Sequence, residues 1–145
     1  MPDVNKTVLR LDRFLPYRLS VLANRISRSL ADQYQAEFGI SRPQWRVLAV
    51  LGETDNLSAN DLVDRTAMDK VAVSRAVSGL VNKQLINQSD DKKDKRRSRL
   101  SLTPKGLQIY AAIVPAALSF QQNLLANLSA EDIHHLDAIL EKLGN

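Results

Sequence analysis

The sequence predicts a mainly α-helical fold with a small β-wing, flanked by further helices at both ends. Through most of its 145 residues, apolar side chains recur every three or four positions, which is the spacing of amphipathic helices. The spacing changes to alternation at residues 85–88 and 99–102, which flank a charged segment and so predict a hairpin. We interpret the chain, 1–145, as one domain in three parts with bounds 12–38, 41–103 and 104–145.

The N-terminal part is predicted to be one long helix over residues 12–38. Its leucines and isoleucine form a single stripe, and Pro16 lies near the start, where its missing N–H costs little. Gly39 supplies the stop. A second helix is expected to begin after Ser41, a good N-cap, with Pro43 just inside it.

Two further helices precede the hairpin. Ser58 and Asp61 form an aspartate variant of the capping box, which predicts a short third helix. Asp69 is expected to cap a fourth helix that runs to about residue 84. Two helices joined by a short turn and followed by a β-ribbon have the order of a winged helix-turn-helix.

The C-terminal part is predicted to contain two helices. Thr103 and Pro104 start one that runs to about residue 127, with a kink at Pro115, and Ser129 starts the last. The first, fifth and sixth helices carry apolar stripes but no motif. We therefore expect them to be dimerisation helices that bury their stripes against a second copy of the chain.

Basic residues are concentrated in the middle of the chain. Residues 65–99 hold ten basic and four acidic side chains, a net charge of +6, whereas the rest of the chain carries −2. This distribution is typical of a surface that binds a polyanion such as nucleic acid. The alternative is a solvated charged loop.

Several classes of function have no support in the sequence. There is no cysteine, so thiol catalysis and thiolate metal sites are excluded. The two histidines, His134 and His135, are adjacent on a predicted helix and point about 100° apart, so they do not converge on one metal. We expect no enzyme activity, no cofactor and no metal site. No apolar run suits a secretory signal or a membrane span, which favours a cytoplasmic protein without a membrane partner.

The fourth helix divides into two faces when it is projected at about 100° per residue. One face is apolar and is predicted to face the core. The other is expected to read double-stranded DNA, with Arg75 suited to a guanine edge and Lys70 to a phosphate. The predicted DNA-contacting residues of this helix are Lys70, Val71, Ser74, Arg75 and Ser78. Val71 is either an ordinary exposed valine or a contact for a thymine methyl.

The predicted tip of the hairpin is strongly basic. We assign Arg96 to the minor groove, because arginine suits its narrow, electronegative form, and Lys95 and Arg97 to phosphates. Asp94 would repel DNA if unpaired, so we interpret it as the residue that orients Arg96. The alternative is a mobile surface loop whose charges only aid solubility.

The chain resembles the multiple antibiotic resistance regulator (MarR) family across nearly its whole length. The matching residues are Gln44-Trp45-Arg46-Val47-Leu48, the run from Leu57-Ser58 to Leu62, Met68-Asp69-Lys70-Val71-Ala72-Val73-Ser74-Arg75, Leu80-Val81-Asn82-Lys83-Gln84-Leu85-Ile86, Asp94-x-Arg96 and Leu102-Thr103-Pro104-x-Gly106. The Asp-x-Arg wing followed by Leu-Thr-Pro-x-Gly is the most specific of these. One departure is Gln84, which stands where the family usually has glycine, so the left-handed conformation there is less favoured.

The resemblance implies a function. Family members are triangular homodimers whose terminal helices interlock and whose two winged lobes read a pseudo-palindromic operator. Many are transcriptional repressors released by small anionic or aromatic effectors. Tyr17, Arg18, Trp45 and Arg46 could line such an effector pocket, although packing and surface ion pairs explain the same residues. A winged helix that binds protein instead of DNA would present an apolar or acidic face.

Overall fold

The computed structural model describes residues 7–90, 93 and 98–145, which form six α-helices and one two-stranded sheet. These residues divide into two compact units, Met1–Arg42 and Pro43–Asn145. The elements, in chain order, are a 3-10 helix Leu11–Arg13, α1 Leu15–Phe38, α2 Arg42–Glu53, α3 Ala59–Thr66, α4 Lys70–Asn82, β1 Ile86–Asp90, β2 Ser98–Leu102, α5 Pro104–Leu124 and α6 Ala130–Gly144. The predicted fold of helices with a small β-wing is confirmed.

The first helix begins later than predicted. Residues 11–13 form a separate 3-10 turn, Phe14 is extended, and α1 starts at Leu15. Pro16 explains the break, because its ring would collide with the carbonyl four residues earlier in a continuous helix and it has no N–H to donate. Gly39 ends α1 in the left-handed conformation, with φ of 65°, as expected.

The predicted N-caps of the later helices are confirmed. Ser58 Oγ accepts from the Asp61 N–H at 3.1 Å, and the Asp61 carboxylate accepts from the Ser58 N–H at 2.9 Å. Ser129 and Asp132 form the same reciprocal pair at the start of α6. Each pair satisfies two helix N–H groups that would otherwise lack a partner.

The hairpin is longer than the sequence indicated. β1 and β2 pair antiparallel from Ile86↔Leu102 to Asp90↔Ser98, so the ladder includes Ser89, Asp90 and Ser98, which were predicted to belong to the tip. Leu57 adds a further bridge to Leu100, with N···O distances of 3.1 and 2.8 Å. The base of the wing is therefore tied to the connection between α2 and α3.

The buried side chains of the second unit lie mainly on α2, α3, α4 and the hairpin. Leu48, Leu62, Leu80, Leu85 and Leu100 are almost fully inaccessible to solvent. In contrast, α6 buries no residue.

Helix α5 continues through Pro115 to Leu124, three residues short of the predicted end. Among the described residues, no helix combines the length and apolarity needed to cross a bilayer.

Candidate nucleic-acid interface

A short turn joins α3 to α4, the two helices of the predicted helix-turn-helix. Ala67 adopts φ of 56°, a left-handed conformation that costs an L-residue about 1–2 kcal/mol. Thr66 Oγ donates to the Leu62 carbonyl at 2.5 Å and so steadies the end of α3. The Asp69 carboxylate then accepts from the Ala72 N–H at 2.8 Å and caps α4.

The inner face of α4 anchors the helix in the second unit. It packs against α3 and β1. Its buried residues are Val73, Ala76, Val77 and Leu80. These are the four positions predicted to face the core, so the projected orientation of α4 is confirmed.

The outer face of α4 is open to solvent and polar. The residues predicted to lie there are all exposed: Lys70, Val71, Ser74, Arg75, Ser78 and Asn82. The two basic side chains at Lys70 and Arg75 are five residues apart, or about one and a half helical turns. This face can donate hydrogen bonds and attract an anion along its whole length.

A groove of about 340 Å³ follows one side of α4, between that helix, α3 and the hairpin. Lys70, Ser74 and Ser78 line it from α4, and Gln88 and Ser98 line it from the two strands. Gln88 Nε2 donates to Ser98 Oγ across the ladder at 3.0 Å, which holds both groups at the groove wall. The hydroxyl, amide and ammonium groups that line the groove suit a phosphate-bearing ligand.

The C-terminal end of α4 closes in a Schellman motif. Gln84 has φ of 61°, its N–H donates to the Val81 carbonyl at 2.9 Å, and the Leu85 N–H donates to the Leu80 carbonyl at 2.9 Å. Gln84 therefore adopts the left-handed conformation that a glycine would take more readily. The buried pair Leu80 and Leu85 supplies the apolar contact of this motif.

Gln44 on α2 contacts the C-terminal end of α4, a role that the sequence analysis did not predict. Its Oε1 accepts from Lys83 Nζ at 3.0 Å. A Cβ at position 79 would overlap the Gln44 side-chain amide, so Gly79 leaves room for this amide beside α4. Gln44 and Lys83 are 39 positions apart, so no local pattern could have revealed the contact.

The Leu-Thr-Pro-x-Gly segment joins the wing to α5. Thr103 Oγ donates to the Gln84 carbonyl at 2.6 Å and accepts from the Gly106 N–H at 2.9 Å. A Cβ at position 106 would overlap the Leu85 carbonyl oxygen. Thr103 and Gly106 thus fix the start of α5 against the turn that follows α4.

Arg99 at the base of the wing acts on the residues around the α3 capping box. Arg99 Nη1 donates to the Asn56 carbonyl at 3.3 Å. The Ser58 backbone and side-chain hydrogen bonds are the main cause that lowers the pKa of Asp61, and Arg99 and Arg65 lower this pKa further. Asp61 therefore stays ionised and keeps the N-terminus of α3 capped.

Comparison with known proteins identifies the family. The sequence model of the MarR family matches residues 38–97, which include α2, α3, α4 and β1. A probable transcriptional regulator from Pseudomonas aeruginosa is 30% identical, with a TM-score of 0.75 over 92% of this chain and 99% of that one. The chain belongs to the MarR family.

Two other solved structures agree with this assignment. A MarR/EmrR family transcriptional regulator from Acinetobacter sp. ADP1 is 29% identical, with a TM-score of 0.86 over 94% of this chain and 96% of that one. The S. aureus MepR protein, solved as a MepR–DNA complex, is 26% identical, with a TM-score of 0.80 over 90% and 96% of the two chains. The MarR family consists of transcriptional regulators and not of enzymes.

The predicted wing contacts lie outside the described residues. These are Asp94, Lys95, Arg96 and Arg97. Their assignments to the minor groove and to phosphates stay predictions. The described strands on either side fix where the tip leaves β1 at Asp90 and returns to β2 at Ser98.

The four predicted effector residues fall in two different units. Tyr17 and Arg18 line a groove of about 560 Å³ within the N-terminal unit. In the second unit, Trp45 stacks on Tyr110 with ring centroids 6.3 Å apart, and Arg46 is exposed. That the four side chains line one pocket stays a prediction.

In the described part of the chain, no three His, Cys, Asp or Glu side chains are grouped to hold a metal.

Proposed function

We propose that this MarR-family chain is a sequence-specific double-stranded DNA-binding regulator that acts as a homodimer. The observation that carries the proposal is the exposed basic face of α4, which projects from a helix whose opposite face is fully buried. In winged helix-turn-helix proteins, the corresponding helix enters the major groove. The MepR–DNA complex supports the same use of the fold here.

The side chains of α4 suit two kinds of DNA contact. Arg75 has the fork geometry that donates two hydrogen bonds to a guanine edge, and Ser78 can donate or accept at a neighbouring base. Lys70 and Ser74 point into the groove beside the hairpin, where Gln88 offers a further donor. A sugar–phosphate strand laid along this groove would meet all three of these groups.

The wing is assigned to the flanking minor groove. Arg96 is proposed to enter it, Asp94 to orient Arg96, and Lys95 and Arg97 to contact phosphates. The net charge of +6 over residues 65–99 supports this assignment, since the field of the wing and of α4 has the same sign.

A homodimer is proposed because three helices expose apolar side chains that have no cover in one chain. The largest exposed side chains on α1, α5 and α6 include Leu22, Leu118, Ile139, Leu140 and Leu143. A two-fold axis would bury such stripes and would place two α4 helices about 34–36 Å apart, one turn of DNA. That arrangement fits a pseudo-palindromic operator.

We further propose that the chain is a repressor whose DNA binding responds to a small aromatic or anionic effector, as the family resemblance implies. Tyr17, Arg18, Trp45 and Arg46 are the candidate contacts. The stacked pair Trp45 and Tyr110 supports an aromatic-lined site, and Arg46 lies beside it on α2 with its charge exposed.

A salt titration of DNA binding tests the DNA-binding proposal. Duplexes selected by the protein from a random library should bind with an affinity that falls steeply with salt, because each phosphate contact releases counterions. Arg75→Ala should lower affinity by about 1–3 kcal/mol and relax selectivity at one base pair per half-site. Lys142→Ala removes one positive charge from the exposed end of α6 and serves as the control, with little effect expected.

Two results would contradict the proposal. The first is a protein that retains no duplex at low ionic strength. The second is an Arg75→Ala variant that selects the same base pairs with the same preference as the parent, since the exposed face of α4 would then have no part in reading DNA.

A further inference from the structure

Val71 differs from every other apolar side chain in its surroundings. Its side chain is 60% exposed, and no other large apolar side chain in the described part of residues 43–103 is classed as exposed. All other large exposed apolar residues precede α2 or follow the hairpin, on α1, α5, α6 and their flanking segments. Val71 is therefore an isolated apolar group on an otherwise polar surface.

Val71 and Asn82 are the two positions on α4 that point most directly away from the core, and Val71 lies on the first turn of the helix. At about 100° per residue, the buried positions 73, 76, 77 and 80 centre on one direction, and Val71 lies about 170° from it. Ser78 and Arg75 lie within about 40° of Val71 on either side. The valine methyl groups therefore lie near the middle of the exposed face of α4.

Helix stability does not account for a valine at this position. In an exposed helical position, valine is less favourable than alanine by about half a kcal/mol, because its branched side chain loses rotational freedom. The side chain also contributes nothing to the buried core of α4. A contact made outside this chain would give the valine a role that neither the helix nor the core provides.

We infer that Val71 contacts the C5-methyl group of a thymine in each operator half-site. This inference rests on the proposed DNA-binding function and names what the centre of α4 reads. The methyl of thymine is the one apolar group that the four natural bases display in the major groove. Lys70 and Arg75 flank Val71 with positive charge, which favours a DNA edge over an apolar protein surface as its partner.

The helix geometry also limits where that thymine lies. Val71 and Arg75 are one turn apart, or about 6 Å along the α4 axis. Successive bases of one strand are about 3.4 Å apart. The thymine should therefore lie within about two base pairs of the base pair whose selectivity depends on Arg75.

The test removes one methyl group at a time from the DNA. In duplexes selected by the wild-type protein, each thymine is replaced in turn by deoxyuridine, which keeps base pairing and lacks only the C5-methyl. Wild type should bind roughly fourfold more weakly at one thymine per half-site, the effect of losing one buried methyl. Val71→Ala should bind the thymine and deoxyuridine forms of that duplex equally, as measured by fluorescence anisotropy at one salt concentration.

Lys70→Ala is the matched variant. It removes a neighbouring side chain that faces the groove beside the hairpin, so affinity should fall by a similar factor on every duplex. The difference between thymine and deoxyuridine should remain as large as in wild type. Circular dichroism should show unchanged helix content for both variants, since both positions are exposed.

Each other result overturns the inference in a distinguishable way. If wild type binds DNA but no thymine is sensitive, or if Val71→Ala keeps the sensitivity, Val71 reads no methyl and the proposed DNA binding still stands. If Val71→Ala instead lowers the molecular mass in solution, the valine contacts another protein chain. If wild type binds no duplex at low salt, both the inference and the proposed function fail.

Discussion

Helices α4 and α6 are similar in length and both have an apolar stripe, yet the stripes have opposite fates. In α4, 13 residues long, Val73, Ala76, Val77 and Leu80 are all buried within the chain. In α6, 15 residues long, no residue is buried, and Ile139, Leu140 and Leu143 are each more than half exposed. The comparison separates a helix that the fold uses to present polar groups from one that presents apolar groups, which we propose that a second copy of the chain covers.

The difference explains why one small chain can combine two kinds of contact. A covered stripe fixes α4, so its outer face keeps one orientation towards DNA. The apolar stripe on α6 is exposed to water. Burying it against a second copy would contribute a favourable free energy of about 25 cal/mol for each Å² covered.

The largest effect is expected from a charge placed in the uncovered stripe. Leu140→Glu would put a carboxylate into both halves of a symmetric interface, at a cost of several kcal/mol for each buried ion. The variant should be monomeric by light scattering and should lose most of its operator affinity. His134→Glu adds the same charge at an exposed position on the polar side of α6 and should stay dimeric. A dimeric Leu140→Glu protein would mean that α6 is not an interface.

A cavity in the buried stripe of α4 should have nearly as large an effect, but on the stability of the fold and not on dimerisation. Leu80 is completely buried, so Leu80→Ala should lower the free energy of unfolding by about 2–5 kcal/mol in urea titrations. Val71→Ala, on the other face of the same helix, should change it by less than about 0.5 kcal/mol. Similar losses in the two variants would contradict the assignment of the faces.

The sequence predicted these faces well because they depend on spacing alone. The caps at Ser58, Asp69, Thr103 and Ser129 were also predictable, since each needs only one polar side chain and the N–H two or three positions later. The prediction was wrong at the start of the first helix. It began the helix at residue 12 and missed the break that Pro16 imposes before Leu15.

Contacts between distant residues were not predictable. The pairing of Gln44 with Lys83, the overlap that excludes a side chain at Gly106 and the stacking of Trp45 on Tyr110 join segments many residues apart. Nothing in the periodicity of either segment indicates its partner. The departure at Gln84 is intermediate: the sequence flagged the position, and the structure has the left-handed conformation there.

A moderate effect is expected at the tip between the strands. Arg96→Ala should weaken operator binding by about 1–3 kcal/mol and leave thermal unfolding unchanged, because arginine is almost never fully buried unless it is paired. Arg96→Lys should recover only part of the affinity, since lysine keeps the charge but lacks the planar guanidinium. Equal operator affinity for Arg96→Ala and wild type would remove the wing from the mechanism.

The smallest effect concerns the pH dependence of α3. Hydrogen bonds from Ser58 lower the pKa of Asp61 in the folded chain, so its contribution to stability is present above the ordinary value of 3.8 and is lost as pH falls through the lower folded value. Asp61→Ala should cost up to about 1 kcal/mol near neutral pH, measured by thermal unfolding. The gap from wild type should close below pH 3.8.

Asp64→Ala provides the control for this last prediction. It removes a carboxylate from the same helix but outside the capping box. A gap between Asp61→Ala and wild type that stays constant down to the acid transition would show that ionised Asp61 does not stabilise the helix start.

Hydroxyl-radical footprinting of the protein on a selected operator is the most direct test of whether two copies of the chain bind one operator together. In this account, the terminal helices join the two copies, and each copy reads DNA with the exposed face of its α4. We expect two protected windows related by two-fold symmetry, with centres about 10 base pairs apart, and a bound mass of two chains per duplex. A single protected window occupied by one chain would contradict the account.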